Sequence, residues 1–384
     1  MGSLTAAVIG TGFIGPVHVE ALRRAGVHVA GILGSEPSKS QAAAEALHLP
    51  RGYATFQDVL ADKTVDVIHI TTPNRFHFEQ ATAVLNAGKH VLCEKPLALT
   101  SQESAALVEL AQTSGLAAGV AYNIRFYPLC HEAAARVRSG SIGRLFHVIG
   151  SYTQDWLLYP TDYNWRVSST EGGTLRAIAD IGTHWLDLAQ FIVNEKVIAV
   201  CADLSTLHLQ RFRNKGSSET FSQARPTTET HDSVPIDTED CGCVMLRFAN
   251  GAQGVLWVSQ CTAGKKNALH FEVSGSEQSL AWDSQRPNEL CIGHRAKPNE
   301  QLIRDPALLS TAAAQVTNYP GGHNEGFPDS FKQLFRTFYD SIQSGEYRAS
   351  PRFPTFDDGH YEILLCEAIH KSHQTKSWVE VQMA

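Results

Sequence analysis

A glycine-rich turn at residues 10–15 is the feature that most restricts how this chain of 384 residues can fold. It follows the apolar run Leu4–Ile9, which predicts a strand, and it opens a helical pattern over Ile14–Arg24. In a G-x-G-x-x-G turn the glycines permit a tight bend, a close approach of the backbone to a pyrophosphate, and close packing of helix on strand. The helix N-terminus adds free N–H groups and a partial positive charge. We therefore predict a dinucleotide site that includes Gly10, Gly12, Phe13, Ile14 and Gly15.

Strand and helix patterns alternate over the first part of the chain, up to about residue 125. This alternation predicts an α/β domain with a parallel, doubly wound sheet. Right-handed crossovers in such a sheet place a ligand at the carboxyl ends of the strands. The predicted strands are Leu4–Ile9, Val27–Leu33, Val65–Ile70, Lys89–Cys93 and Leu116–Ala121, and the predicted helices are Ile14–Arg24, Ser38–Leu47, Phe76–Ala87 and Ser101–Thr113.

The rest of the chain predicts an α+β domain on a large, mostly antiparallel open sheet, because several strand patterns follow one another with turn residues between them. We therefore predict two domains, 1–125 and 126–384. The polar stretch Gln210–Asp240 predicts a long loop. The predicted helices are Pro128–Ser139, Asp180–Val193, Asp329–Gln343 and Asp357–Gln374, and the predicted strands are Arg144–Thr153, Val197–Leu207, Cys243–Phe248, Gln253–Cys261, Leu269–Gly275 and Ser279–Asp283.

Composition argues against two classes of partner. The net charge is −7, and lysine and arginine are scattered without the basic cluster that nucleic-acid binding needs. No apolar stretch approaches the roughly 18–20 residues of a membrane span. The eight cysteines are spread out, mostly in apolar runs, which is typical of reduced thiols in a cytoplasmic protein.

The end of the second predicted strand bears on the choice of cofactor. An acidic residue there favours NAD, whereas a basic residue favours NADP. Glu36 lies close to the strand end, but Ser35, Ser38 and Lys39 could accommodate a 2′-phosphate. The sequence therefore predicts NAD without excluding NADP.

Two further motifs carry groups that can transfer a proton. Lys95, in Cys93-Glu94-Lys95-Pro96, follows a predicted strand at the edge where the nicotinamide is expected, and Pro96 biases it toward an extended conformation. Asp180 and His184 have the i, i+4 spacing that places two side chains on one helix face, although Asp180 could instead cap the helix. Asp187 continues that face, and we interpret it as structural. No further residues with metal-ligand spacing accompany these groups, so we predict no metal.

Taken together, these motifs resemble the Gfo/Idh/MocA family of glucose–fructose oxidoreductases and inositol dehydrogenases. The resemblance covers nearly the whole chain. It is carried by the glycine turn, by Thr72-Pro73-Asn74 with His77, by Glu94-Lys95-Pro96, and by Gly172-Gly173 followed by Asp180-Ile181-Gly182-Thr183-His184 and Asp187.

The resemblance implies a Rossmann domain, followed by a substrate-binding domain whose open sheet forms a homodimer or homotetramer interface. It implies hydride exchange between a sugar or polyol carbon and NAD(P). Lys95 and His184 would handle the proton, and Asp180 would bind a substrate hydroxyl. Asn74, His77 and Glu94 would line the cofactor site, and Tyr122 and Asn123 would lie at the domain junction. We add Ser35, Thr72, Lys95, Asn123 and Arg166 to the predicted cofactor site and Tyr122 to the predicted substrate site.

Several further side chains could contact the substrate. Arg125, Arg166 and Arg176 could bind a carboxylate, sulfonate or phosphate, which suggests an anionic sugar. Alternatively, each arginine pairs with a local carboxylate or with the cofactor pyrophosphate. Trp165 could stack on a sugar face, as could Trp156, although core packing explains either equally well. His323 is a further candidate.

Three functions remain open from the sequence. The first is a net dehydrogenase or reductase acting on a sugar. The second is a redox-neutral, NAD-dependent glycoside hydrolase, with Tyr122 or His323 as an extra base. The third is a dinucleotide-binding regulator without catalysis, which the presence of both Lys95 and His184 disfavours.

Overall fold

The structure is a computed structural model that describes residues 4–213 and 232–382. The chain forms two compact units. Unit 1 comprises Met1–Asn123 and Pro328–Ile363, and unit 2 comprises Ile124–Phe327 and Leu364–Ala384. Contacts thus group a C-terminal segment with the N-terminal part of the chain. The sequence-based division at residues 125/126 stays a prediction.

The described residues form strands and helices in the following order. The strands are β1 Thr5–Ile9, β2 His28–Leu33, β3 Val67–Ile70, β4 His90–Cys93, β5 Ala118–Val120, β6 Leu145–Thr153, β7 Val197–Ser205, β8 Gln210–Arg213, β9 Asp232–Pro235, β10 Cys241–Phe248, β11 Gln253–Ser259, β12 Ala268–Gly275, β13 Ser279–Asp283, β14 Glu289–Gly293, β15 Glu300–Ile303 and β16 Val379–Glu380. The α-helices are α1 Ile14–Arg24, α2 Pro37–Ala46, α3 Phe56–Ala61, α4 His77–Asn86, α5 Ser101–Ser114, α6 Pro128–Arg138, α7 Ser169–Gly172, α8 Thr183–Val193, α9 Thr311–Gln315, α10 Phe327–Ser344 and α11 Phe356–Thr375.

Unit 1 is built on a five-stranded parallel sheet in the order β2-β1-β3-β4-β5. Its strands read as continuous apolar runs because helices cover both faces of such a sheet. Local signals delimit the helices as expected. For example, the Thr100 side chain accepts the Glu103 N–H at the start of α5, and Gly115 ends that helix with a left-handed φ of 64°. The predicted parallel, doubly wound sheet is confirmed.

Unit 2 contains a nine-stranded sheet in the order β15-β14-β13-β12-β6-β11-β10-β7-β16. The pair β6–β11 is parallel and the other pairs are antiparallel, which confirms the predicted mostly antiparallel sheet. Along β10 the residues Val244, Leu246 and Phe248 are buried, whereas Met245 and Arg247 are exposed. This period of two means that one face of the sheet packs on the core while the other faces outward.

The predicted loop at Gln210–Asp240 was wrong at both of its ends. Residues 214–231 lie outside the described residues, but the flanking β8 and β9 form a two-stranded antiparallel sheet. The buried Arg211 anchors β8, because it bonds to Asp240 at 2.6 Å and to the carbonyl oxygens of Leu157 and Tyr159. The segment has few apolar residues, which predicts a loop, but the hydrogen bonds of the buried Arg211 hold β8 in place instead of apolar packing.

The predicted helix Asp180–Val193 is present, but its start differs from a regular α-helix. Residues Ile178–Gly182 form a π-helical turn that leads directly into α8. Such wider turns often occur at functional sites. Strands β14 and β15 and helix α3 were not predicted from the sequence.

No helix among residues 4–213 and 232–382 is long and apolar enough to cross a membrane.

Candidate active site

The glycine turn of unit 1 has the geometry that a dinucleotide pyrophosphate needs. Gly10 has φ +114°, and a Cβ there would lie 2.4 Å from Thr71 Oγ1. A Cβ at Gly15 would lie 2.1 Å from the Gly10 carbonyl oxygen, so both glycines are required for packing. A Cβ at Gly12, in contrast, would meet no described atom within 4 Å, which leaves its backbone open to a ligand.

The start of α1 suits an anion. Its first turn contains no acidic residue, and no side chain caps its free N–H groups. Phe13 at the N-cap position is 47% exposed, and Ile14 is the first helical residue. The turn and the helix start therefore fit a dinucleotide phosphate.

The end of β2 carries a small polar cluster. Lys39 Nζ donates to Ser35 Oγ at 3.3 Å and pairs with the Glu36 carboxylate at 3.4 Å, and all three residues are exposed. The positive charge that could favour a 2′-phosphate is thus matched by a local carboxylate.

His77 joins the two loops that follow β3 and β4. Its Nδ1 lies 2.7 Å from the Pro96 carbonyl oxygen and its Nε2 lies 2.9 Å from the Thr72 carbonyl oxygen. The ring is fully buried, and burial lowers its pKa although both carbonyl contacts act in the opposite direction. His77 therefore holds the two loops that carry the predicted cofactor residues. Asn74 begins a short helical turn, Asn74–Phe76, that directly precedes His77.

Glu94 and Lys95 lie directly after β4. Glu94 is 8% exposed, its Oε1 lies 3.0 Å from His18 Nε2, and its Oε2 accepts the Lys95 backbone N–H at 3.2 Å. Lys95 is half-buried, and its peptide bond to Pro96 is cis. Lys95 thus lies at the carboxyl edge of the parallel sheet, where ligands of this fold bind.

Tyr122 and Asn123 are interior residues of unit 1. Tyr122 is fully buried within the hydrophobic core cluster. Asn123 is 2% exposed, and its Nδ2 donates to Ser330 Oγ at 2.7 Å.

Asp180 in unit 2 is held through both carboxylate oxygens. Arg166 Nε lies 3.3 Å from Oδ1, and the Gln260 amide donates to Oδ2 at 2.7 Å. Gln260 is fully buried, whereas the Asp180 side chain is 16% exposed.

His184 occupies the first turn of α8 and is 8% exposed. Its ring centroid lies 6.3 Å from that of Tyr152. Burial, reinforced by the Asp180 charge, raises the pKa of Tyr152, whose hydroxyl donates to Asn267 Oδ1 at 2.7 Å. Unit 2 thus gathers a carboxylate, an imidazole and a neutral phenol close to the π-helical turn.

Arg176 is buried and has a structural partner. Its guanidinium pairs with the Asp240 carboxylate and lies 3.4 Å from Gln260 Oε1. Burial alone would raise the pKa of Asp240, but Arg176 beside it holds that pKa at about 2. Glu239 accepts the backbone N–H groups of Arg176 and Ile178, which fixes the entry to the π-helical turn.

The other two candidate arginines also pair locally. Arg125 Nε donates to Asp187 Oδ2 at 2.7 Å, and Arg166 faces Asp180 while its guanidinium carbon lies 4.4 Å from the Trp165 ring centroid. Trp156 Nε1 donates to Gln154 Oε1 at 2.7 Å. Each arginine therefore has the local carboxylate partner that was the alternative to an anionic substrate.

His323 is exposed on a loop that a buried arginine anchors. Arg304 donates to the carbonyl oxygens of Tyr319 at 2.7 Å and Pro320 at 3.1 Å, and also to that of His323. The position of His323 is thus set by backbone contacts of its loop.

The sequence did not single out the groups that hold the candidate residues. Gln260 carried no signal, because an isolated glutamine after a strand is common on surfaces. His69 did carry one, since it is a polar residue in the apolar strand β3, where it is fully buried. Among the described residues no group of three or more His, Cys, Asp or Glu side chains could hold a metal ion.

A parallel sheet with an open glycine turn is the architecture of a dinucleotide-binding domain, and the second unit carries a large, mostly antiparallel sheet. Comparisons with known proteins specify the class. Residues 4–122 match the family model described as "Oxidoreductase family, NAD-binding Rossmann fold", and residues 130–281 match the "GFO/IDH/MocA C-terminal domain". The chain belongs to the Gfo/Idh/MocA family.

Similar proteins act on sugars and polyols. The chain is 29% identical to levoglucosan dehydrogenase of Pseudarthrobacter phenanthrenivorans, over 99% of each chain, and 27% identical to myo-inositol 2-dehydrogenase of Thermotoga maritima, over 98% of each chain. The superposition on a solved structure of levoglucosan dehydrogenase with NADH and L-sorbose covers 100% of both chains, with 28% sequence identity and a TM-score of 0.89. These findings confirm the predicted family, NAD as cofactor, and hydride-transfer chemistry on sugars or polyols.

Proposed function

We propose that Lys95 and His184 move the hydroxyl proton while Asp180 binds a substrate hydroxyl. The bound dinucleotide supplies the hydride acceptor for the carbon that carries that hydroxyl. The observation that carries the proposal is the Asp180 carboxylate, which Arg166 and Gln260 hold in place although part of its side chain stays accessible. A carboxylate fixed in this way accepts a hydrogen bond from a sugar hydroxyl at little cost in entropy.

We propose that the glycine turn binds the pyrophosphate, with Phe13 and Ile14 beside it, and that Ser35 contacts the adenosine ribose. Thr72, Asn74 and Glu94 serve the nicotinamide end, while His77 and Asn123 act by holding their loops. Pairing of Lys39 with Glu36 favours NAD over NADP, because it leaves no unmatched positive charge in this polar cluster for a 2′-phosphate.

We propose an uncharged sugar or polyol as the substrate. Arg125, Arg166 and Arg176 each face a carboxylate in unit 2, and Arg176 is only 2% exposed. An anionic substrate would have to compete with those carboxylates. Trp165 remains a candidate to contact the sugar.

A net dehydrogenase is favoured over the redox-neutral glycoside hydrolase. The hydrolase needs an extra base, and the sequence offered Tyr122 or His323 for that role. Tyr122 is fully buried in the core cluster, and a buried phenol is a poor base for a solvent-borne sugar, so of the two only the exposed His323 is left for that role. The similar proteins named as dehydrogenases also favour net oxidation.

We further propose that unit 2 forms a homodimer or homotetramer through the outward face of its large sheet. Met245, Val255 and Ile149 are direct cross-strand neighbours on that face and are 39–43% exposed, with Trp257 beside them. A second copy of the same face would cover this apolar patch. We also propose a cytoplasmic location, which the free cysteines Cys93 and Cys130 in the described interior support.

The test is a sugar panel with matched variants. Levoglucosan, myo-inositol and D-xylose are offered with NAD, reduction of the cofactor is followed by absorbance, and release of nitrophenol from nitrophenyl glycosides is followed in parallel. Net reduction that Lys95→Ala and His184→Ala abolish, and that the exposed Lys63→Ala leaves intact, supports the proposal. Unchanged turnover in Lys95→Ala removes that residue from the reaction. Nitrophenol release without net reduction selects the hydrolase.

A further inference from the structure

Three hydrogen bonds in series connect Glu94 to the interior of unit 1. His18 Nε2 lies 3.0 Å from Glu94 Oε1, and His18 Nδ1 lies 3.0 Å from His69 Nδ1. His69 Nε2 lies 3.1 Å from Tyr339 Oη. Both histidines are fully buried and Tyr339 is 3% exposed. The series thus runs from the end of β4 through α1 and β3 to α10.

The contact between the two histidines limits where their hydrogens lie. Two Nδ1 atoms at this distance form a hydrogen bond only when one carries a hydrogen and the other a lone pair. The second nitrogen of each ring takes part in another hydrogen bond, and a neutral ring has one donor and one acceptor nitrogen. The donor in one of the three hydrogen bonds therefore determines the donor in the other two. Either every donor points toward Glu94, or every donor points toward Tyr339.

Tyr339 decides between these two directions. Within residues 4–213 and 232–382, its hydroxyl has a single hydrogen-bond partner, His69. If His69 donated to Tyr339, the buried phenol hydrogen would have no acceptor there, which costs free energy. Tyr339 therefore donates to His69, His69 donates to His18, and His18 donates to Glu94, which accepts as a carboxylate.

We propose that His69 and Tyr339 are positioning residues that act through His18 to hold Glu94 as an oriented carboxylate. Glu94 in turn holds the backbone of Lys95, whose N–H it accepts. The inference rests on the proposed proton transfer by Lys95 and names the residues that hold it. Hydrogen bonds that run in one direction polarise and strengthen one another. The hydrogen bond from His18 to Glu94 is therefore stronger when Tyr339 donates to His69.

Burial keeps two members of the series neutral. Burial lowers the pKa of His69, aided by the nearby His18, and burial raises the pKa of Tyr339, aided by Asp66. Both groups thus stay neutral. Other titratable groups that interact with Glu94 are His77 and Cys93. The Lys95 backbone N–H donates to Glu94 Oε2.

Nitrogen NMR on the protein without cofactor tests the direction of the series. With ¹⁵N-labelled histidine, we expect His69 to carry its hydrogen on Nδ1 and His18 on Nε2. In Tyr339→Phe we expect the Nε2 resonance of His69 to move toward that of a nitrogen that accepts no hydrogen bond, while the hydrogen stays on Nδ1. The control Tyr347→Phe, which removes a hydroxyl that donates to the Gly115 carbonyl oxygen, should change neither ring. A hydrogen on Nε2 of His69 in the unaltered protein overturns the proposal.

Kinetics test the consequence for Lys95. We expect Tyr339→Phe to lower kcat with NAD and the best sugar of the panel about fivefold, the size of one hydrogen bond, with KM for the sugar unchanged within about twofold. His69→Asn, which keeps a donor for His18, should lose less than His69→Leu. Wild-type kcat in Tyr339→Phe with the unfolding midpoint alone lowered would show a structural role only. If no sugar is oxidised, the proposed function fails, while the NMR result still decides the series.

Discussion

Tyr339 Oη lies 3.1 Å from His69 Nε2, although 270 residues separate them in the chain. The contact joins α10 to β3 within unit 1, and the rings stack with centroids 5.9 Å apart. The C-terminal part of the chain therefore completes the interior behind the loop that carries Glu94 and Lys95.

The buried His69 predicts loss of stability in acid. Burial lowers its pKa well below the ordinary value, so the folded state stays neutral where the unfolded state binds a proton. The contribution of the neutral His69 to the free energy of unfolding is complete above about pH 6.5. It is lost as the pH falls below that value, at about 1.4 kcal/mol per pH unit. In denaturant unfolding, the free energy of unfolding of His69→Asn should fall less steeply between neutral and acidic pH than that of the unaltered protein. Tyr339→Phe keeps the His69 imidazole and should therefore retain the steeper pH dependence. Equal slopes in all three proteins would contradict this reading.

The glycine turn predicts that stability and cofactor affinity separate. Gly12→Ala should keep the unfolding free energy, since its Cβ has open space, but should weaken NADH binding about tenfold or more by keeping the pyrophosphate away from the backbone. Gly10→Ala should unfold more easily by about 1–3 kcal/mol because of its φ and its contact with Thr71. Titration calorimetry and denaturation measure the two quantities, and Gly326→Ala, with equal space in unit 2, is the control. Normal NADH affinity in Gly12→Ala would argue against pyrophosphate binding here.

Gln260 is expected to matter for turnover without touching substrate. Gln260→Leu removes the donor to Asp180 Oδ2, and we expect kcat/KM to fall about tenfold as the carboxylate loses its orientation. Gln253→Leu, an exposed glutamine on β11, should leave kcat/KM unchanged. An equal loss in both variants would point to a general effect on the sheet.

Arg176 is expected to contribute to stability rather than to substrate affinity. Arg176→Leu leaves Asp240 with one guanidinium partner fewer in a buried position, and breaking such a pair costs about 3–5 kcal/mol. Arg286→Leu, at an exposed arginine, should change the unfolding free energy by less than about 0.5 kcal/mol. A stable Arg176→Leu variant with a raised KM for an anionic sugar would instead restore a role in binding.

The outward face of the large sheet predicts an oligomer. The double variant Met245→Lys/Val255→Lys places two like charges on neighbouring strands of that face, and we expect light scattering to report a monomer. Leu308→Lys, which is 63% exposed elsewhere in unit 2, should keep the assembly state. An unaltered protein that is already monomeric would refute the interface.

The local elements were largely predictable because each depends on residues near in sequence. The glycine turn, the apolar strands and the helices α10 and α11 follow from backbone freedom and from periodicity, and their bounds agree with the prediction to within a few residues. The π-helical turn before α8 was not predictable, because its backbone is fixed by Glu239, which lies about 60 residues away.

The family, the two kinds of sheet, the cofactor class and the motifs that carry Lys95, Asp180 and His184 could all be read from the amino-acid sequence. Which side chains hold those groups became visible only in the folded chain. Asp180 faces Gln260, Arg176 faces Asp240, and His69 faces Tyr339. This is because side-chain periodicity reports which face of an element is buried, whereas the partner across a buried contact depends on the path of distant parts of the chain.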